Sequence, residues 1–533
     1  MSQRWSYGEI FEAIEPVIPD DRPALVHGKR IILWGEFKKR TNNIAQNLLA
    51  NGIKPGDKIA FYTRNGPEYP EGIAAAFKAG LVHVNVNYRY IEKELIYLID
   101  NSDSSVVVYH QEFRESVNNI KSKLPKVKIW LETAEGNECT YEKFATEGDG
   151  SSPKIKHSPD DLLFLYTGGT TGMPKGVMWK HDDLFQVLGA GGNIRMGVPA
   201  CETLDELVQR IKTTPRPVNL PLPPIMHGTG LLSAIGAMSG GGTCVTLPQK
   251  SFDPEAALEA IDQNRVTAVT IVGDAFARPL LEVLNSNPGK YDISSVSSIH
   301  SSGVMWTKEI KSGLLQHNDE LILSDAFSSS EAIGLGTSIT TKDEEVEVAK
   351  FTLGPFCKVF TEDLIEVKPG LDQSGMVAVK GFLPVGYYKD KEKTEKTFKT
   401  INGERYSVPG DWVRVEADGS LTLLGRGSNC INTAGEKVFP EEVEEALKFH
   451  EDIADCLVVG IEDEKWGQAI TAVVQLRAQK TNNEEELKAF AREHLAAYKI
   501  PKKILFKDDL NRAPNGKADY KLIKAYVEKS ISV

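Results

Sequence analysis

The sequence predicts an α/β protein: a large N-terminal domain of α/β subdomains with a small β-barrel-like part, then a smaller α+β C-terminal domain. Three observations carry that expectation. Short apolar runs alternate with helical patterns through the first half of the chain. Alternating segments joined by turn residues begin near Pro355. A compact series of helix and strand patterns follows Arg426.

In the first region, DKIAFYTRN and HVNVNY flank PEYPEGIAAAFKAGL, and TAVTIVG follows DPEAALEAIDQNR. These runs are short and rich in Val, Ile and Thr, which suits parallel strands between amphipathic helices. In the second, GMVAVKG and DWVRVEADGSLTLLGR alternate around Asp418-Gly419 and read as antiparallel hairpins. In the third, Pro440 suits the first turn of a helix, and the glutamates after it suit the helix's positive end. A boundary near 426–428 divides the chain into 1–427 and 428–533, the second part being of roughly 105 residues, an ordinary domain size. TLDELVQRIKTTPRP (203–217) reads as an amphipathic surface helix ended by prolines.

A chain of 533 residues exceeds one ordinary core, so at least two domains are expected. The net charge of −12 argues against a nucleic-acid partner bound through neutralised phosphates. It says nothing against a small phosphorylated ligand, for which local potential decides. The six cysteines are scattered without C-x-x-C, as expected of reduced thiols in a cytoplasmic protein. The start carries acidic residues and no continuous apolar region, so no signal peptide is expected there. No run of about 18 apolar residues occurs, so no membrane span is expected. Peripheral membrane contact and a homodimer stay open.

The most informative stretch is LLFLYTGGTTGMPKGVMWKH (162–181). An apolar strand breaks into a glycine-rich turn whose backbone N–H groups can converge on phosphate. Thr167, Thr170 and Thr171 add hydroxyls, Gly168, Gly169 and Gly172 add freedom, and Lys175 adds a charge. The Walker spacing fails, because Met173-Pro174 separate Gly172 from Lys175. YTGGTTGMPKG instead resembles the phosphate-binding signature of the adenylate-forming, AMP-binding superfamily, which includes acyl-CoA synthetases, peptide-synthetase adenylation domains and luciferases.

Further segments follow in that family's order. AFSSSEA (326–332) resembles its aromatic-Gly-x-Thr-Glu segment, with Phe327 for tyrosine, Ser328 for glycine and Ser330 for threonine. The resemblance implies nucleotide contacts from Ser302, Gly303, Asp325, Ala326, Phe327 and Ser330, and Mg²⁺ held by Thr167 and Glu331. Taken alone, Glu331 reads as a helix-capping carboxylate. SVPGDWVRV resembles the Thr-Gly-Asp segment, so Asp411 is implied to bind ribose. LLGRGSNCINTAGEKVFPEEVEEAL resembles the hinge of a mobile C-terminal domain. There Arg426 is implied at ribose or α-phosphate and Gly435 along the pantetheine channel. Ser428 stands where the hinge is commonly Asp or Lys, and Asn432 where lysine is common. NRAPNGKADY resembles the terminal loop that carries the adenylation lysine, here Lys517. From composition alone Lys517 is one surface lysine among many.

The acyl pocket is expected in 221–247, 270–281 and 300–306, through His227, Gly228, Leu231, Gly273, Asp274, Ala275 and Met305. These stretches hold no lysine, and their one arginine, Arg278, lies a helical turn after Asp274 and suits an internal pair. The resemblance implies an acid–thiol ligase that uses ATP, Mg²⁺ and coenzyme A, with Lys517, Lys175 and Glu331 at the centre of catalysis. It points to an apolar medium/long-chain or steroid-side-chain acid. Alternatives are an aryl-CoA ligase, a stand-alone amino-acid adenylation enzyme with Asp274 receiving the amino group, and a non-catalytic nucleotide- or lipid-binding homologue.

Overall fold

Alternation of apolar runs and helices produces two largely parallel sheets in the first of two units. The structure, a computed structural model, describes residues 4–531 apart from 135–138, 168–172, 194–197, 305, 344–349, 372, 434–435, 464–465 and 514–515; at 426, 428 and 437 it describes the backbone alone. The first unit comprises Met1–Gly334, Ile339–Val348 and Lys380–Thr400, and the second Leu335–Ser338, Ala349–Val379 and Ile401–Val533.

One sheet of the first unit runs in the order Ile129–Thr133, Ser104–His110, Lys58–Tyr62, Val82–Asn85, Leu162–Thr167, Lys175–Lys180, Gly386–Tyr387. The first five strands are parallel and the last two antiparallel. DKIAFYTRN and HVNVNY therefore supply neighbouring parallel strands, as the alternation predicts. The helix Glu68–Lys78 joins them, and its run of buried Ala74, Ala75 and Ala76 keeps it slim enough to bury almost every position.

The other sheet runs Arg30–Leu33, Pro23–His27, Thr243–Thr246, Val218–Pro221, Ala268–Ile271, Ser298–Ser302, Ile322–Ser329. All neighbours are parallel except at the Arg30–Leu33 edge. Asp253 caps the helix Pro254–Asn264, accepting from the Glu255 and Ala256 amides at 3.0 and 3.1 Å, and that helix leads into the TAVTIVG strand. The expected surface helix is Leu204–Thr213, capped by Thr203 and burying only Leu207 and Ile211.

In the second unit, Cys357–Phe360, Ser374–Lys380, Asp411–Val415, Leu421–Arg426 and Lys350–Leu353 pair antiparallel in that order. Gly419 turns the expected hairpin at φ +83°, a backbone angle that favours glycine. A second sheet contains Glu436–Val438, Ile431–Thr433, Gly467–Leu476 and Ile453–Asp463, with Lys503–Phe506 parallel to Gly467–Leu476. The helices Pro440–Lys448, Glu484–His494 and Tyr520–Ile531 cover it, and Pro440 stands in the first turn as expected. The sequence-based boundary near 426–428 coincides with the 3₁₀ turn Gly427–Asn429 inside this unit. None of the six cysteines forms a disulfide, and only Cys430 is not buried.

Glu444, on the Pro440–Lys448 helix, lies inside this core and accepts from the Val458 amide at 2.9 Å and the Tyr520 hydroxyl at 3.0 Å. Burial pushes its carboxyl up to about 8. The folded value exceeds the unfolded one, so between about pH 5 and pH 8 the native state keeps a proton that the unfolded chain releases. Stability therefore falls as pH rises through that window. Glu444→Gln should remove this slope, up to about 1.4 kcal/mol per pH unit, in urea unfolding measured across the window. An unchanged slope would show that Glu444 ionises normally.

Candidate active site

Parallel strands present their C-terminal ends, and the crevices beyond them, to ligands. In the first sheet, Asn85 and Thr167 end the adjacent strands Val82–Asn85 and Leu162–Thr167, and Asn65 lies just beyond Lys58–Tyr62. In the other sheet, His227, Gly273, Gly303 and Ser330 follow the ends of four adjacent strands, and Ser302 ends its own. The loop expected to hold phosphate joins Leu162–Thr167 to the antiparallel strand Lys175–Lys180, with Thr167 opposite Lys175. The strands on either side of it pair antiparallel, unlike the strand and helix that flank a Walker loop. Gly168, Gly169, Thr170, Thr171 and Gly172 lie outside the described residues, as do Met305 and Gly435.

Asn85 joins the two sets of strand ends. Its Oδ1 accepts from the Tyr166 amide at 2.6 Å, and its Nδ2 donates to the carbonyls of Tyr166 at 2.8 Å and Met226 at 2.7 Å. Asn65 holds the same approach, donating to the Pro223 carbonyl at 3.3 Å and accepting from the Ile225 amide at 2.7 Å. His227 then stands at the N-cap of the helix Gly228–Ser239, and Leu231 is buried one turn on. A Cβ on Gly230 would lie 2.6 Å from the Pro224 carbonyl oxygen, so only glycine lets this turn pack so closely. A Cβ on Gly228 would reach Leu165 at 3.3 Å and the Ser330 hydroxyl at 4.0 Å, which brings the loop strand, the His227 helix and the Ser330 segment to one place.

The charged groups are held from a segment that the sequence reading left unassigned. Tyr387 donates its hydroxyl to Glu331 Oε1 at 2.6 Å. Asp390 pairs with Lys175 and caps the next helix, Lys391–Thr397, accepting from the Lys393 amide at 2.9 Å. The Lys175 ammonium holds the Asp390 carboxyl below the usual carboxylate range. Trp179, on the strand that Lys175 begins, donates to the Ser330 carbonyl at 2.9 Å. Phe327 and Asp325 are buried at the end of Ile322–Ser329, and the Ser302 hydroxyl donates to the Ala326 carbonyl at 3.0 Å. Lys311 lies fully buried 3.7 Å from Asp325, and burial lowers its ammonium pKa, with Asp325 opposing that shift.

On the pocket side, Gly273 adopts φ +53° and donates its amide to the Ser301 hydroxyl at 2.9 Å. Asp274 opens the helix Asp274–Ser286, followed by Ala275. Its carboxylate accepts from Arg278 at 3.0 Å, as the i,i+4 spacing predicts, and from the Thr307 amide and hydroxyl at 3.0 and 2.8 Å. Both charges in the segments expected to line the acyl pocket are thereby engaged.

In the second unit, Asp411 is buried at the start of its strand and faces Arg426 across the Asp411–Val415/Leu421–Arg426 pair. The two residues expected at the ribose are thus direct cross-strand neighbours. Lys517 is exposed, just after Gly516 at φ +74°. Asp519 caps the Tyr520–Ile531 helix, accepting from the Lys521 and Leu522 amides.

The chain belongs to the AMP-binding enzyme family, whose model matches residues 16–382, with the AMP-binding enzyme C-terminal domain matching 442–517. It is 39% identical over 521 residues to a medium/long-chain-fatty-acid–CoA/3-oxocholest-4-en-26-oate–CoA ligase of Mycolicibacterium smegmatis, covering 96% of this chain and 94% of that protein. It is 38% identical over 534 residues to a 3-oxocholest-4-en-26-oate–CoA ligase of Rhodococcus rhodochrous, covering 97% and 95%. Among solved structures, an anthranilate CoA ligase in complex with anthranoyl-AMP shares the fold at TM-score 0.85 and 19% identity, over 100% of this chain and 99% of that one.

Sequence reasoning missed Asn85, Asn65, Tyr387 and Asp390. Asn85 carried one signal: a carboxamide inside an otherwise apolar parallel strand, where a polar group needs a partner. Asn85→Ala removes three hydrogen bonds and leaves a buried amide unpaired, so it should lower stability by about 2–3 kcal/mol in urea unfolding. A loss below half a kcal/mol would mean that water replaces the side chain without cost.

Proposed function

We propose that this chain is an ATP-dependent acyl-CoA ligase that activates an apolar carboxylic acid, of medium/long-chain or steroid-side-chain type. One observation supports the reading above the others: at the carboxyl ends of two parallel sheets, Asn85 ties the strand entering the glycine–threonine loop to the segment before His227, and Trp179 and Tyr387 of the loop's sheet hold Ser330 and Glu331. A nucleotide's phosphates and an acyl carboxylate must meet at such a junction for an adenylate to form.

In the first half-reaction, a carboxylate oxygen attacks the α-phosphorus of ATP and the bond to pyrophosphate breaks. Lys175 exchanges Asp390 for phosphate oxygens and serves as a clamp on the leaving pyrophosphate. Lys517 bridges the carboxylate and α-phosphate, a task that suits a flexible point charge. Asp411 and Arg426 hold the ribose side. Mg²⁺ fits Thr167 and Glu331, because one hydroxyl and one carboxylate leave most of its positions to phosphate oxygens and water. Bound there, the ion would neutralise phosphate charge, and Tyr387 fixes the carboxylate that would hold it. In the second half-reaction, residues 428–533 turn about Ser428 and bring Gly435 to the pantetheine. The coenzyme A thiol attacks the acyl carbon, the bond to the phosphate oxygen breaks, and AMP leaves.

The substrate class rests on the walls. Arg278 is committed to Asp274, so no cation in those stretches awaits a second carboxylate. Asp274 is committed to Arg278 and Thr307, which disfavours the amino-acid reading. The names of the two ligases above agree with a long or steroidal acid.

A panel of acids in a CoA-dependent AMP-release assay tests the substrate. Long-chain and steroid-side-chain acids should exceed acetate and benzoate, and an amino acid at the top would sink the proposal. Lys517→Ala should lower ATP–pyrophosphate exchange by at least about 10²–10³ while sparing thioester formation from preformed acyl-adenylate. Lys175→Ala should lower ATP use by a smaller factor. The reverse ranking would exchange the roles of the two lysines.

A further inference from the structure

We infer that Arg512 and Asp455 form a clamp that positions Lys517 for adenylate formation. This inference rests on the reading of Lys517 given above and adds the groups that hold it. Arg512 lies five residues before Lys517, on the same loop. Its Nε and Nη2 donate to the two oxygens of Asp455 at 2.5 and 2.8 Å, a fork-to-fork pair. Its remaining Nη1 donates at 3.1 Å to the carbonyl of Gly516, the residue before Lys517. One guanidinium thus ties the lysine's own peptide to the strand Ile453–Asp463.

Both partners of the fork are well covered, with side-chain exposures of 19% and 21%. The strand that carries Asp455 lies at the edge of the domain's sheet and pairs with Gly467–Leu476 along its whole length. The loop also closes on itself. The Ala513 amide donates to the Lys517 carbonyl at 2.9 Å, and the Gly516 amide donates to the Ala513 carbonyl at 2.8 Å. On the far side, Tyr520 is fastened to Glu444 and Asp519 caps the final helix. The backbone of Lys517 is therefore fixed from both directions while its side chain stays exposed.

The fork has a specific chemistry. A lysine at 512 would bring one ammonium, which cannot span both carboxylate oxygens and the Gly516 carbonyl in one plane. Asp455 also meets Lys448 at 3.9 Å and the Cys456 amide at 2.8 Å, so its carboxylate stays oriented when Arg512 is altered. Arg512 does not reach substrate in this scheme; it acts through the position of Lys517. A group that only supports the fold would affect both half-reactions alike, since the same domain serves each. A group that positions Lys517 affects only the half-reaction that uses this lysine.

The test uses the full-length enzyme with the acid that leads the panel, and compares Arg512→Ala, Arg512→Lys and Asp455→Asn with Lys517→Ala. Arg512→Ala should lower kcat of ATP–pyrophosphate exchange by about 10- to 100-fold, with KM for ATP within about twofold. Thioester formation from preformed acyl-adenylate should stay within about threefold of the parent enzyme. Arg512→Lys should fall between the parent and Arg512→Ala, and it carries the comparison if the alanine variant fails to fold. Equal loss in both half-reactions would reduce the clamp to a folding contact. So would an unchanged exchange rate in Arg512→Ala while Lys517→Ala abolishes it. If Lys517→Ala itself spares exchange, the assignment of that lysine fails, and the clamp loses its role with it.

Discussion

The Asn85 carboxamide joins the backbone that enters the phosphate loop to the backbone that enters the His227 helix. Two chain segments some 60 residues apart, at Tyr166 and Met226, share one buried side chain. An amide is suited to this, because it offers a donor and an acceptor in a fixed plane. The cost of leaving such groups unpaired in a dry interior keeps both segments in register. The remainder of the first unit's site is arranged around that joint: Ser330 through Trp179, Glu331 through Tyr387 and Lys175 through Asp390.

These contacts share a design. The groups expected to meet phosphate and metal are oriented by a short segment, 386–390, that belongs to the edge of the loop's own sheet. Phosphate clamps and carboxylates have many rotamers, and their ordering is otherwise paid from binding energy. Fixing them beforehand against tyrosine and aspartate reduces that loss and makes the electrostatic stabilisation of a leaving anion effective.

Much of this was legible in the sequence. The alternation of apolar runs and helices, the Asp418-Gly419 hairpin, the Pro440 helix start and the Asp274–Arg278 pair are local patterns, and local physics sets them. The placing of Asp411 opposite Arg426 also follows once the hairpin between them is recognised. Tyr387, Asp390 and Arg512 could not be read in this way. Their partners lie 56, 215 and 57 residues distant, and no periodicity records which side chains a tertiary fold will bring together. A tyrosine after glycine and an aspartate before a helix read as ordinary loop chemistry until the partner is known.

The antiparallel pairing on either side of the glycine–threonine loop has an evolutionary consequence. Both of its stems are locked: Thr167 stands opposite Lys175, and a Cβ on Gly176 would come within 2.6 Å of the Tyr166 ring, so the strands cannot slip by a residue. Lys175 belongs to the stem and not to the tip. The residues between the two strands can therefore change without moving Lys175, whose place is set by its strand. A lineage can vary the sequence between the stems without disturbing the strands that carry it.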